Sequence, residues 1–271
     1  MLPSWPFVDD SQRNLDRNSA SYEYLKKCGI VLDKKDYKML KKLSLQYALP
    51  TKNDGWKMKF NIDPFLYDKL AYANSPLLTQ QMLGFVDDIG SGSRVLDVGC
   101  GFGYKTSYML FNDAKVLGTD FSPDALRILS RKAKHMSKGV DLVMGDFNKS
   151  CLSGGGFDYI VASQIFNRSY TDTENVLREH LHLLKNGGEV YVSDYMNINL
   201  NSANIPVHES ERVSIMPPSL EDELEHSFRE NEAMKALKKL GFEARVIEGD
   251  FVPTVKPSQS LKPYLIKAKR I

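Results

Sequence analysis

From Ser75 onward, short apolar runs alternate with longer amphipathic stretches, the pattern of a parallel sheet covered on both faces. The runs are Val95–Val98, Val116–Thr119, Val140–Met144, Tyr159–Ala162 and Val190–Ser193. Between them the spacing predicts helices. Ser75-Pro76 opens one in which Leu78, Met82 and Phe85 share a side until Gly90. Ser122 caps another over Pro123–Met136, and a third covers Asp172–Leu184 until Asn186-Gly187-Gly188 stops it. A last helix, Asn231–Leu240, ends at Gly241, and Glu243–Ile247 and Tyr264–Lys267 read as the final strands. Right-handed crossovers make a doubly wound sheet the simplest topology, so the fold class is α/β.

Residues 1–74 lack this alternation and read as a mainly helical cap or lid. In one readable piece, Asp33 caps a helix with Tyr37, Leu40, Leu43 and Tyr47 on one face, ended by Pro50. Lys34, Lys38, Lys41 and Lys42 fill its other faces, a solvated charged surface. The aromatics Trp56, Phe60, Phe65, Tyr67 and Tyr72 can line an apolar pocket or a core. Residues 75–271 form the sheet domain, with a lid-like insertion at 196–227.

Composition narrows the partners. The 271 residues carry a formal net charge of +2, too weak to point to nucleic acid or an anionic membrane. No apolar run approaches the ~20 residues of a membrane span. Met1-Leu2-Pro3-Ser4-Trp5-Pro6 lacks the basic and apolar regions of a signal peptide. Cys28, Cys100 and Cys151 show no metal-ligand spacing and read as reduced thiols of a cytoplasmic protein.

The chemistry gathers at strand ends. The first strand closes in Asp97-Val98-Gly99-Cys100-Gly101-Phe102-Gly103, directly before a helix. Alternate glycines let the backbone turn tightly and let a ligand lie against it. The spacing Gly-x-Gly-x-Gly is not the Gly-x-Gly-x-x-Gly of a pyrophosphate site, and no Gly-Lys-Ser/Thr follows. Asp97 is a poor neighbour for a diphosphate and a good one for an ammonium group. Asp120, ending the next strand, suits two ribose hydroxyls, and Phe121 suits an adenine face. Asp146 can accept from an exocyclic amine, with Phe147 packed nearby. Together these residues ask for an adenosine ligand with a positive amino group and no phosphate, which describes S-adenosylmethionine.

Across about residues 75–271 the arrangement resembles the class I Rossmann-like S-adenosylmethionine-dependent methyltransferases. Val95–Gly103 looks like the family's first motif, with Asp97, Gly99, Cys100, Gly101 and Gly103 at the methionyl end. Asp120 matches the ribose-binding acid, and Asp146 with Phe147 the adenine-binding pair. Phe157–Val161 is similar to the fourth-strand motif and Leu184–Val190 to the fifth, with Asn186 where proline is common. Ser163, closing the fourth strand, joins the cofactor side. The resemblance implies a seven-stranded sheet whose last strand is antiparallel.

Methyl transfer is an in-line displacement, so placing the acceptor atom supplies most of the catalysis. A base is needed only where the acceptor must lose a proton. After the fourth strand comes Ser163-Gln164-Ile165-Phe166-Asn167-Arg168, without the Asn/Asp-Pro-Pro-Tyr/Phe of nucleic-acid amino methylases. The region Phe157–Tyr195 looks somewhat like arsenite and quinone-ring methylases, but the thiol that arsenic chemistry needs is replaced by Ser163 and Gln164. Gln164, Asn167 and Arg168 are candidate acceptor ligands, and Tyr195 and His208 candidate catalytic groups. Asp158 belongs to the strand motif, so no metal at Asp158 and Asp194 is expected. The expected function is methylation of O, N or C of a small metabolite. A protein or RNA methyltransferase recruited through the lysine helix, or a non-catalytic cofactor-binding subunit, is the alternative.

Overall fold

A computed structural model describes residues 15–28, 76–166, 172–199, 230–250, 252–253 and 259–270. The apolar runs become strands because their Val, Ile and Leu side chains bury both faces of a pleated surface. In chain order these are β1 (Arg94–Val98), β2 (Lys115–Asp120), β3 (Asp141–Met144), β4 (Phe157–Ser163) and β5 (Leu184–Asn199). They are followed by β6 (Phe242–Glu248), β7 (Val252–Pro253) and β8 (Gln259–Arg270). The helices are α1 (Ala20–Lys27), α2 (Pro76–Gly84), α3 (Tyr104–Phe111), α4 (Pro123–His135), α5 (Thr173–Leu181) and α6 (Glu230–Lys239).

The strands lie in the order β3-β2-β1-β4-β5-β8-β6, with β7 paired to β8 off this path. Neighbours from β3 to β5 are parallel, and β6 runs antiparallel to β8. The doubly wound reading with a terminal antiparallel pair therefore holds. The seven strands of this path match the expected count, and β7, two residues long and without a periodic signal, adds a short strand beside them among the described residues. The order reverses between β1 and β4, the switch point where such sheets open a crevice at the carboxyl ends of their strands. Register brings those ends level, with Val98 beside Thr119 and Ala162, Asp120 beside Met144, and Ser163 beside Ser193.

Capping explains where the helices begin. The Ser122 hydroxyl accepts the Ala125 N–H at 3.2 Å and Pro123 occupies the first turn of α4. The Asp172 side chain accepts the Asn175 N–H at 3.1 Å at the start of α5. That helix ends at Leu181, three residues before the expected Leu184. Leu183, in the turn before β5, and Leu184, its first residue, are buried instead, and the Asn186–Gly188 turn falls in the irregular start of β5, where the β4–β5 register shifts. Burial of two leucines outweighs one further helical turn.

The chain divides into two compact units. One comprises Met1–Gln81, Met196–Ser227 and Asp250–Lys262, the other Met82–Tyr195, Phe228–Gly249 and Pro263–Ile271. In the first unit, α1 is capped by Ser19 and tied to α2 through Gln80, whose amide donates to the Asp16 carbonyl at 2.8 Å and accepts its N–H at 2.8 Å. The sequence reading placed no helix there. The Asp33-capped helix, the five aromatics from Trp56 to Tyr72, and residues 200–227 of the insertion lie outside the described residues. No helix among the described residues is long and apolar enough to cross a membrane.

Candidate functional site

The residues whose geometry is described below lie in the unit that contains Met82–Tyr195. After β1 the backbone turns at Gly99, Gly101 and Gly103 with φ of +68°, +53° and +78°, a region that penalises any Cβ. The three are not equivalent. A Cβ on Gly99 would stand 2.5 Å from Ile165 Cγ2 and one on Gly103 only 2.1 Å from Leu129 Cδ1. A Cβ on Gly101 would meet nothing within 4 Å. Gly99 and Gly103 let the turn lie against the protein, and Gly101 leaves its outer face open.

The turn is held from below. The Cys100 N–H donates to the Thr119 carbonyl at 2.9 Å, and the Gly103 N–H donates to the Cys100 carbonyl at 2.8 Å. Lys132, fully buried in α4, donates through Nζ to the Phe102 carbonyl at 2.8 Å. The Cys100 side chain packs with Leu126 and Leu129, and its thiol is pushed up by burial and then by the Asp97 and Asp120 charges. Cys100 thus shapes the turn through its backbone, while its side chain belongs to the core. Phe147, only 5% exposed, packs against the turn at Gly99.

Three acids surround this turn. Asp97 is buried and accepts the Thr106 hydroxyl at 2.5 Å. Burial pushes its carboxyl up to about 6, against the opposing pull of the Thr106 bond and the Lys105 charge. Asp120 accepts the Gly101 N–H on Oδ2 and the Ser122 N–H on Oδ1, both at 2.8 Å. These two bonds fix the direction of the carboxylate. Asp146 is exposed and accepts the Asn148 N–H at 2.9 Å and its side-chain amide at 3.1 Å, forming its own turn. Beside Asp120, the Phe121 side chain is 59% exposed and Met144 64% exposed. Bare apolar groups at adjacent strand ends are suited to contact a flat heterocycle. Met144 was missed, and its place just before Gly145-Asp146 was the available signal.

Next to Asp97 lies a buried polar group that sequence reasoning also missed. Lys105 of α3 donates through Nζ to Ser193 Oγ, and the Ser193 hydroxyl donates to Ser163 Oγ at 3.2 Å. Lys105, Ser193 and Asp194 are all buried. Burial lowers the Lys105 ammonium to about 7, opposed by the charges of Asp97 and Asp194. The Gln164 N–H donates to the Ser193 carbonyl at 2.9 Å, and Gln164 itself sits at φ +57°, costly for a residue with a Cβ. Such strain, held by β5, is typical of functional positions.

The remaining predicted residues divide as follows. Tyr195 is in β5, while Asn167, Arg168 and His208 lie outside the described residues. Asp158 is at the opposite end of β4 from Ser163, paired with Lys185 and accepting the Arg94 N–H at 2.7 Å, which together lower its carboxyl. Asp194 follows Ser193 near the carboxyl ends, so the two acids do not converge. No group of three metal-ligating side chains gathers among the described residues.

A doubly wound sheet with an open glycine turn between two strand-end acids defines a nucleoside-binding α/β protein. Residues 89–266 match the family described as methyltransferase domain, and the chain belongs to the class I S-adenosylmethionine-dependent methyltransferases. The chain is 28% identical over 191 residues to the sterol 24-C-methyltransferase of Schizosaccharomyces pombe, covering 69% of this chain and 49% of that one. It is 32% identical over 114 residues to phosphoethanolamine N-methyltransferase 3 of Arabidopsis thaliana, covering 41% and 23%. The chain thus spans about half the length of the sterol enzyme. Among solved structures, an S-adenosylmethionine-dependent methyltransferase from Aquifex aeolicus superposes with a TM-score of 0.51. It is 21% identical and the match covers 78% of this chain and all of that one, a likeness of fold.

Proposed function

We propose that this protein transfers the methyl group of S-adenosylmethionine to a small-molecule metabolite. The observation that carries the reading is the open face of Gly101, bounded by Asp97 and Asp120 with Phe121 and Met144 exposed beside it. A Cβ would fill that cradle, and its donors and acceptors match an adenosyl amino acid. In this reading Asp97 receives the amino group, Asp120 the ribose hydroxyls, and Phe121 with Met144 the adenine faces, with Asp146 at the adenine edge. Bound S-adenosylmethionine supplies a methyl group on a positive sulfur, open to in-line displacement.

The acceptor side is the carboxyl end of β4 and β5. Gln164, Asn167 and Arg168 are proposed to orient the acceptor, Ser163 to stay with the cofactor, and Tyr195 to act as a catalytic group. His208 is proposed as the base where the accepting atom carries a proton. The names of the sterol and phosphoethanolamine relatives support a small acceptor. The weak net charge of +2 supports no nucleic-acid or membrane partner, and three free thiols support a cytoplasmic setting.

Calorimetry with S-adenosylmethionine and S-adenosylhomocysteine tests the reading. Both ligands should bind, and absence of binding by either sinks it. The pH dependence has a defined sign. Asp97 is protonated below about 6, so affinity should be flat above that value and fall as pH drops through it. The expected slope is roughly tenfold per pH unit for a single proton. At the alkaline side the ligand's own amino group loses its charge near roughly pH 8, closing the window.

A further inference from the structure

Discrimination of an adenine edge needs a carboxylate held in one direction, and Asp146 is an exposed residue in the turn after β3. A side chain so placed changes rotamer freely, and fixing it at the moment of binding costs affinity. The turn itself is tied to the ribose acid, since the Gly145 N–H donates to the Asp120 carbonyl at 3.0 Å. The carboxylate is gripped by Asn148, whose backbone N–H and side-chain amide nitrogen both donate to Asp146 Oδ1, at 2.9 Å and 3.1 Å. Oδ2 has no hydrogen bond among the described residues. A carboxylate gripped on one oxygen presents the other in a set direction. Asn148 is in turn held by the start of α5. Its carbonyl accepts the Asn175 side-chain amide at 2.5 Å, and its side-chain oxygen accepts the Asp172 N–H at 3.4 Å. With that oxygen on a backbone donor, the amide nitrogen is the end that faces Asp146, the orientation that satisfies both ends. Two residues on, the Ser150 N–H donates to Glu179 Oε2 at 3.1 Å, a second tie of this segment to α5.

We propose that Asn148 is a positioning residue of the cofactor site, which aims the Asp146 carboxylate at the exocyclic amine of adenine and anchors it on α5. The inference rests on the proposed S-adenosylmethionine site and gives that site its selectivity for the base. The adenine amine donates to a carboxylate held beside it. A 6-oxo base sets a second acceptor at the same place, and a site built for a donor rejects it. The 6-oxo base carries its proton on N1 instead. A carboxylate free to swing can follow that proton, and one gripped by Asn148 cannot. Asn148 thus acts through Asp146, and its loss removes discrimination before it removes binding.

The test measures by calorimetry the affinities of S-adenosylhomocysteine and S-inosylhomocysteine, which differ only at that edge of the base. The chains compared are wild type, Asn148→Ala, Asn148→Asp and Asp146→Ala, with circular dichroism as the control for folding. Wild type should prefer S-adenosylhomocysteine by at least about tenfold, the loss expected where a charged acceptor meets no donor. In Asn148→Ala the preference should fall to about threefold or less. Asp146→Ala should reach the same low ratio. Should Asn148→Ala not fold, Asn148→Asp carries the same expectation, because it keeps an oxygen for the Asp172 N–H and sets a second carboxylate against Asp146. A folded Asn148→Ala chain whose ratio stays put, with or without an equal loss for both ligands, overturns the proposal, because a merely structural role gives that result. An Asn148→Asp or Asp146→Ala chain that keeps the wild-type preference overturns it as well, and so does a wild type without preference. A wild-type chain that binds neither ligand removes the cofactor site itself, a result distinct from binding both with equal affinity.

Discussion

Gly103→Ala is expected to destabilise the protein by about 2–5 kcal/mol, the sum of a left-handed backbone penalty and an overpacked core. The backbone at Gly103 lies at φ +78°, and a Cβ there would stand 2.1 Å from Leu129 Cδ1, 2.9 Å from Cγ and 3.0 Å from Cδ2. Three atoms of one side chain cannot all be cleared by a rotamer change, because Leu129 is fully buried and packed with Cys100 and Leu126. The helix start must move, and with it Lys105 and Thr106. Gly101→Ala makes the contrast. It has φ +53° and nothing within 4 Å, so its cost in stability is only the backbone share of about 1–2 kcal/mol. Its methyl group projects into the proposed ligand space and should abolish measurable S-adenosylmethionine binding. Guanidinium unfolding for the first variant and calorimetry for the second check the pair. Equal stability loss in both, with binding retained by the Gly101→Ala variant, would contradict the assignment of the open face.

That contrast also shows what the residue order discloses. The glycine turn, Asp97, Asp120 and the Ser122 cap are legible because each depends on neighbours within a few positions. A strand end, a tight turn and a helix start follow one another, and the spacing records it. Lys105 is the opposite case. At the start of an amphipathic helix a lysine reads as solvated, and its burial is set by Ser193, 88 positions away. Nothing near Lys105 in sequence discloses that contact. Phe147 is a related case. Its place after Asp146 suggests packing near the adenine edge, and the contact with the Gly99 turn that buries the ring is made across the sheet, where spacing leaves no trace. The end of α5 was misread because Leu183 and Leu184 continue the helical period while burial claims them. On the acceptor side, Gln164 shows its strain only through φ, which no residue type announces.

Asp120→Ala is expected to weaken S-adenosylmethionine binding by roughly 1.5–3 kcal/mol, the range for hydrogen bonds to a charged partner. That corresponds to about 10- to 150-fold in dissociation constant. Two effects combine. The ribose hydroxyls lose their acceptor, and the Gly101 and Ser122 N–H groups lose theirs. The second effect loosens the turn itself, since Gly101 has no side chain to hold it. Asp120→Asn should be nearly as harmful. Its amide nitrogen must face one of those two N–H donors, so one bond is replaced by a repulsion. Adenosine distinguishes this acid from Asp97. Both variants of Asp120 should weaken adenosine and S-adenosylmethionine by similar factors, because the ribose is common to both ligands. Asp97→Asn should spare adenosine, which carries no amino acid portion, and weaken only the full cofactor. Adenosine binding that is insensitive to Asp120 would remove the ribose role, and adenosine binding lost with Asp97 would show that Asp97 acts through the turn instead of through the amino group.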